Sequence, residues 1–175
     1  MALRRIVKYP DPLLKLRSEE VKTFDQELKT LVEDMAETMY VAPGVGLAAV
    51  QVGVLKRVLV LDAKSGEPDT KLEVFINPEI VQAAGKLIWE EGCLSLPDFS
   101  EEVERKEKIA VRFHDVEGNV HETHMEGFRA VILQHELDHL NGVLATDRVS
   151  RLKRLFYQRK RNRAVQNDES KSASP

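Results

Sequence analysis

Residues 127–142, GFRAVILQHELDHLNG, constrain the fold more than any other stretch of this chain. At helical period, Phe128, Val131, Ile132, His135 and His139 fall along one side and Leu133, Leu137 and Leu140 along another, so the segment is apolar nearly all round. Such a helix belongs inside a domain, with other elements covering it. Yet it also carries two histidines and two acids, Glu136 and Asp138, and buried polar groups need partners. His135 and His139 are four residues apart and therefore share a face, with Glu136 beside them. This His-Glu-x-x-His spacing lets two ring nitrogens share one metal ion while a carboxylate serves a neighbouring water as acid and base.

The rest of the chain can build a domain around that helix. With 175 residues, 42% of them apolar and 31% charged, it has the composition of one globular domain with a real core. We expect a single domain over residues 1–165, including a basic C-terminal helix at about 150–165, followed by a disordered tail at 166–175, where QNDESKSASP has no large apolar residue. There is no signal-type apolar run and no stretch of eighteen apolar residues, which points to a cytoplasmic protein without a membrane partner. A single cysteine, Cys93, excludes an intrachain disulfide and leaves packing, reactivity or metal ligation.

The elements follow no regular alternation. TFDQELKTLVEDMAETMY places Phe24, Leu28, Leu31, Met35 and Met39 at helical spacing; Thr23 with Gln26 reads as its capping box and Pro43-Gly44 as its end. Short β-rich runs follow at 57–62, 72–78, 108–115 and 120–125, the last two joined by VEGN, a hairpin signal. After the buried helix comes a terminal amphipathic one with Leu152, Leu155 and Phe156 expected on its inner side. This order predicts an α+β fold: short antiparallel β-sheets packed around a buried central helix carrying the His-Glu-x-x-His motif, with a C-terminal amphipathic helix.

A catalytic site of this type takes three protein ligands and leaves a position for water. Two endopeptidase patterns lack theirs here: one would need a histidine where Ala145 stands, and the other a downstream glutamate where only Asp147, Asp168 and Glu169 occur. Upstream candidates are Cys93, His114, His121 and His124. A three-residue offset in a strand turns His121 and His124 to opposite faces, and His114, next to Asp115 at a turn, reads as exposed. Cys93 lies in EEGCLSLP, where Gly92 permits close backbone approach, and a thiolate suits a soft divalent ion, so it is the preferred third ligand.

Three segments in order, GVGLAAVQ at 44–51, EGCLS at 91–95 and QHELDH at 134–139, resemble the signature motifs of the peptide deformylases, and the similarity extends over about residues 4–150. The C-terminal helix resembles that of the bacterial type. The resemblance implies a hydrolase that removes the N-formyl group from the initiating methionine of new polypeptides and releases formate. By motif position it implies metal ligands Cys93, His135 and His139, Glu136 as general acid/base, and oxyanion donors in the Gln51 side chain and the Leu94 amide. It implies one divalent ion per chain, iron(II) in the cell, with zinc or nickel able to replace it in purified protein.

The chemistry can be reasoned from the residues as well. A water activated by the metal attacks the formyl carbon while Glu136 takes its proton. Val45, Gly46, Trp89, Glu90, Phe128, Val131 and Ile132 are placed to line an apolar pocket for the methionine side chain, although Phe128, Val131 and Ile132 also fit plain core packing. Gly46 offers an edge on which substrate backbone can pair. Some relatives have a basic residue a few positions after the second motif, where this chain has Ser100 and acids. Glu91 is a candidate partner of nearby backbone or of Arg105; Asp138 supports a ligand histidine or is a solvated helix acid, and the sequence does not separate these.

RVSRLKRLFYQRKRNR, residues 148–163, holds eight Lys/Arg and no acid in a chain of net charge −3. It reads either as a solvated helix or as a contact for an anionic partner; the resemblance implies docking near the ribosomal exit tunnel, where nascent N-formylmethionyl chains emerge. Two other readings stay in view: a metalloprotease, which lacks its third ligand, and a noncatalytic metal or ribosome-binding module, which would not need Glu136 or Gln51. A deformylase of free formylmethionine or other formylated amines is a third.

Overall fold

A computed structural model of the chain describes residues 2–173. Strands β1 (Gly46–Ala48), β2 (Val58–Leu61), β3 (Glu73–Ala84), β6 (Lys108–His114) and β7 (Val120–Glu126) form one sheet in the order β1-β2-β3-β6-β7, while β4 (Leu87–Cys93) and β5 (Leu96–Arg105) pair separately. All of these pairings are antiparallel. Three helices accompany them: α1 (Gln26–Val41), α2 (Gly127–Leu140) and α3 (Arg151–Ser172).

The run VLVL of β2 is buried at all four positions because the sheet is covered on both faces. Alternate side chains of a strand point opposite ways. Val58 and Val60 accordingly join Leu28, Leu31, Met35 and Met39 of α1, while Leu59 and Leu61 join Ala130, Ile132, Leu133 and Leu140 of α2. The expectation of antiparallel sheets around a buried central helix is thus met, and α2 is buried at ten of its fourteen positions. A third cluster, with Leu14, Leu96, Phe99, Leu144 and Tyr157, carries Cys93 at its edge and seats α3.

Several local expectations need correction. The N-cap of α1 is Asp25, whose carboxylate accepts from the Leu28 amide at 3.0 Å, so the helix begins at Gln26 without Thr23. The β4–β5 hairpin was not anticipated, and β3 runs on to Ala84 because a bulge after Ile76 lets Pro78 interrupt the ladder without ending it. His114 is half-buried against Phe24, with ring centroids 5.5 Å apart, where an exposed imidazole was expected.

The inner side of α3 also differs. Leu152 and Phe156 are 64% and 62% exposed, Leu155 is exposed too, and the buried residue is Tyr157, whose hydroxyl donates to the Pro97 carbonyl at 3.0 Å. Arg161 donates from Nε to the Tyr9 carbonyl at 2.9 Å. The helix docks through one aromatic anchor, Tyr157 packed against Tyr9 and Phe99, flanked by side-chain hydrogen bonds to backbone carbonyls, and the stripe of Leu152, Leu155 and Phe156 is left outward. The helix continues to Ser172, through most of the segment expected to be disordered; residues 174–175 of that segment lie outside the described residues. An established helix extends one bond per residue, and Gln166, Glu169 and Lys171 favour helix.

Candidate metal centre

The end of β4 meets the middle of α2. Cys93 closes β4, and His135 and His139 project from successive turns of α2, so that Nε2 of His139 lies 3.3 Å from Sγ of Cys93 and 3.2 Å from Nε2 of His135. Among the described residues, these three are the group of His, Cys, Asp and Glu side chains close enough to hold one ion. Tetrahedral coordination at ordinary zinc-type bond lengths separates two imidazole nitrogens by about 3.3 Å and a nitrogen from a thiolate sulfur by about 3.6 Å. The observed spacings match a shared ion.

Proton positions support the same fit. Nδ1 of His135 lies 2.8 Å from Oε1 of Glu91, and a carboxylate can only accept, so that nitrogen carries the hydrogen and Nε2 turns its lone pair toward Cys93 and His139. Burial would lower the pKa of His135, but Cys93 and the Glu91 carboxylate outweigh it and hold the group well above the usual histidine value, so Nε2 favours a bound cation, whether a proton or a metal ion. Burial, together with His135 and Arg105, holds His139 well below that value. Three converging donors that favour one positive charge among them, in a soft S/N set, suit a divalent transition ion.

Glu136 stands next to this cluster, buried, with Oε2 lacking a hydrogen-bond partner among the described residues. Burial raises its pKa to about 7, with Glu91 and Asp138 adding to the rise and His135 and Arg105 opposing it. A carboxyl group poised there exchanges protons at neutral pH.

On the opposite side, the 3-10 turn Ala49–Val52 presents Gln51, which is 1% exposed. Its Oε1 accepts from the Ala48 amide at 2.8 Å, which fixes the amide orientation, and its Nε2 donates to Oγ of Ser95 at 3.0 Å and faces Sγ of Cys93 at 3.8 Å. Leu94 follows Cys93 in the turn between β4 and β5.

A cleft of about 430 Å³ opens over the cluster, within the range of small-ligand sites. Val45, Gly46, Trp89, Glu90, Phe128, Val131 and Ile132 all line it, together with Cys93, Leu94, His135 and Glu136. Trp89 stacks on Phe128 at 5.0 Å between centroids and forms one rim. Ser100, at the position where some relatives are expected to be basic, donates to Glu90 at 2.7 Å. Gly46 is required by a close approach: a Cβ there would come within 2.7 Å of Oε1 of Glu136 and 2.8 Å of Ile132. His121 and His124 lie in β7, away from the cleft; His121 pairs with Asp115 at 2.7 Å.

Behind the cluster, Arg105 donates to Glu91 through Nε and Nη2 at 2.7 and 2.8 Å and to Asp138 through Nη1 at 2.6 Å. Glu91 is held below the usual carboxylate range because Arg105 and His135 outweigh burial. Of the readings left open for Asp138, the solvated one is overturned: it is 8% exposed and enclosed by guanidinium groups. Sequence reasoning missed Ser95 and Arg148. Ser95 could have been noticed as the last residue of the EGCLS segment; nothing in the spacing marks Arg148.

A family model described as polypeptide deformylase matches residues 3–155. The chain is 52% identical over 174 residues to the peptide deformylase of Novosphingobium aromaticivorans, covering 88% of this chain and 93% of the relative. It is 46% identical over 168 residues to that of Rhodopseudomonas palustris, covering 94% and 96%. The crystal structure of a peptide deformylase from Legionella pneumophila superposes with a TM-score of 0.88 at 42% identity, covering 99% of this chain and 100% of that one. The peptide deformylase from Ehrlichia chaffeensis in complex with actinonin also gives 0.88, at 41% identity, covering 94% and 98%.

Proposed function

The chain belongs to the polypeptide deformylase family, and from that premise we propose how its residues carry out the reaction. It is a hydrolase that removes N-formyl groups from nascent peptides with one metal ion bound per chain. The observation that carries the residue assignment is the convergence of Cys93, His135 and His139, whose ligand atoms all lie within 4.8 Å of one another, beside a buried Glu136.

In this reading Cys93, His135 and His139 would hold the ion, which would supply Lewis acidity for activating a water and polarising the formyl group. Val45, Trp89, Phe128, Val131 and Ile132 enclose the methionine side chain, and Glu90 borders the cleft. β1 pairs only with β2 among the strands, so its free edge at Gly46 takes substrate main chain as an added strand. As water oxygen bonds to the formyl carbon, Glu136 accepts the water proton. Negative charge grows on the formyl oxygen, and Nε2 of Gln51 and the Leu94 amide donate to it. The C–N bond then breaks, Glu136 gives its proton to the departing amine, and formate and a free N-terminus remain.

The thiolate and imidazole donors accept iron(II), zinc or nickel; we assign iron(II) in the cell. The same reading places the protein in the cytoplasm as a single domain that includes α3, with α3 docking near the ribosomal exit tunnel.

The test is formate release from an N-formyl-methionyl tripeptide by anaerobic, ferrous protein, beside the N-acetyl peptide and Glu136→Ala. Release from the formyl peptide alone, lost in the variant, is the expected result. Metal binding without formate release would overturn the residue assignment.

A further inference from the structure

The hydrogen-bonded chain behind His135 does not stop at Asp138. Arg148 donates to Oδ2 of Asp138 from Nε at 2.8 Å and to Oδ1 from Nη2 at 2.7 Å, a paired contact that fixes the carboxylate plane. The sequence of contacts is therefore Arg148, Asp138, Arg105, Glu91, His135. Four of these five residues are buried, and the Arg148 side chain, 44% exposed, is the end that reaches solvent. We propose that Arg148 is a positioning residue for the metal centre, setting the orientation of His135 through this relay. The inference rests on the metal-site reading above.

Glu91 and Asp138 are two buried carboxylates that share a single buried guanidinium, Arg105. Arg148 supplies the second positive charge. Without it, Asp138 is left under-compensated and draws Arg105 toward itself, at the expense of the contacts to Glu91. Oε1 of Glu91 accepts from both Arg105 and His135, so a displaced Arg105 releases the atom that orients the imidazole. The backbone of Arg148 is well placed to act as a fixed anchor. It ends the 3-10 turn Ala145–Arg148, where the Asp147 carboxylate accepts from the Leu144 amide at 2.9 Å and pairs with Lys15.

Direct partners of a metal-bound histidine typically alter metal affinity about 10- to 100-fold; three contacts further out, about 3- to 10-fold is expected. The experiment strips the full chain of metal, loads it with cobalt(II), and measures affinity by chelator competition and the visible cobalt–thiolate spectrum. Arg148→Ala should weaken cobalt binding and perturb the spectrum, Glu91→Gln should do so more strongly, and Arg148→Lys should fall between wild type and Arg148→Ala. Arg151→Ala, which removes an exposed charge nearby, should match wild type. Should Arg148→Ala fail to fold, Arg148→Lys carries the test alone. Wild-type affinity and spectrum in the folded Arg148 variant would overturn the relay, and so would a lowered melting temperature with unchanged cobalt binding. A wild-type protein that shows no cobalt–thiolate band would instead overturn the metal-site reading, and the relay with it.

Discussion

Ser95 accepts a hydrogen bond from Gln51 across 3.0 Å at a point where both side chains are almost fully buried. The opposite end of the same amide is held by the Ala48 N–H, so Gln51 is clamped at both ends with Nε2 turned toward Cys93. A preorganised donor costs little reorganisation as charge develops on a substrate oxygen.

Removing the clamp should cost rate more than binding. Loss of an oxyanion donor typically costs about 10²- to 10³-fold in kcat, so Gln51→Leu should fall in that range. Ser95→Ala keeps the donor but frees it to rotate, and a smaller fall, about tenfold, is expected, with KM little changed. Steady-state kinetics on a formyl-methionyl tripeptide decide the matter. Equal KM effects and no kcat loss would remove Ser95 from the reaction.

Gly46 makes a second prediction through space. A methyl group there would meet Oε1 of Glu136 at 2.7 Å, Cγ2 of the buried Ile132 at 2.8 Å and Cγ of Glu136 at 2.9 Å, so both side chains must shift. Gly46→Ala should therefore lower the melting temperature through the Ile132 contact and, in the protein that folds and holds metal, lose kcat by about 10²-fold or more, since general acid–base catalysis contributes about 10²- to 10⁴-fold. Metal content and circular dichroism beside the kinetics separate this outcome from simple misfolding.

How much of this was legible beforehand varies by element. The helix α2 was readable because its apolar residues run nearly all round while His135 and His139 keep a four-residue spacing, a combination with few structural solutions. Cys93 was readable by ligand chemistry. The β4–β5 hairpin was not, because KLIWEEGCLSLPDFSEEVER is dense in acids and broken by Gly92 and Pro97. Its inner face, Val103 and Arg105 among others, is recognisable only once Glu91 and Asp138 are known to lie opposite. Spacing alone turns the stripe of Leu152, Leu155 and Phe156 toward the core, whereas the structure leaves it exposed. Periodicity shows that a face is apolar, not which molecule covers it.

Acid stability should reflect the Asp115–His121 contact. The hydrogen bond from His121, with those from the Asn119 and Glu117 amides, lowers the Asp115 pKa to about 2 from an ordinary 3.8. Because the folded value is depressed, its contribution is fully present above the ordinary aspartate pKa and is lost as pH falls through about 2. Asp115→Asn keeps an acceptor for the turn amides but not the charge. Its melting temperature should lie below that of wild type at pH 6, with the gap narrowing below about pH 4 and closing near pH 2. A gap independent of pH would assign the effect to turn geometry.

The outward stripe of α3 offers the last prediction. Leu152 and Phe156 are among the most exposed large apolar side chains of the described residues, and they sit on a helix that also carries Arg159, Lys160 and Arg163 on its exposed surface. Large exposed apolar residues rimmed by polar ones mark a contact surface, and ribosomal RNA at the docking place proposed above would supply the opposite charge. Leu152→Ser combined with Phe156→Ser should reduce co-sedimentation with ribosomes, while formate release from a free tripeptide and the melting temperature stay at wild-type values, since neither side chain packs into the core. Replacing Arg159, Lys160 and Arg163 by Ala should weaken the same association and flatten its dependence on salt, because fewer phosphate contacts release fewer counterions. Equal pelleting of wild type and both variants across the salt series would remove α3 from any role in reaching the ribosome.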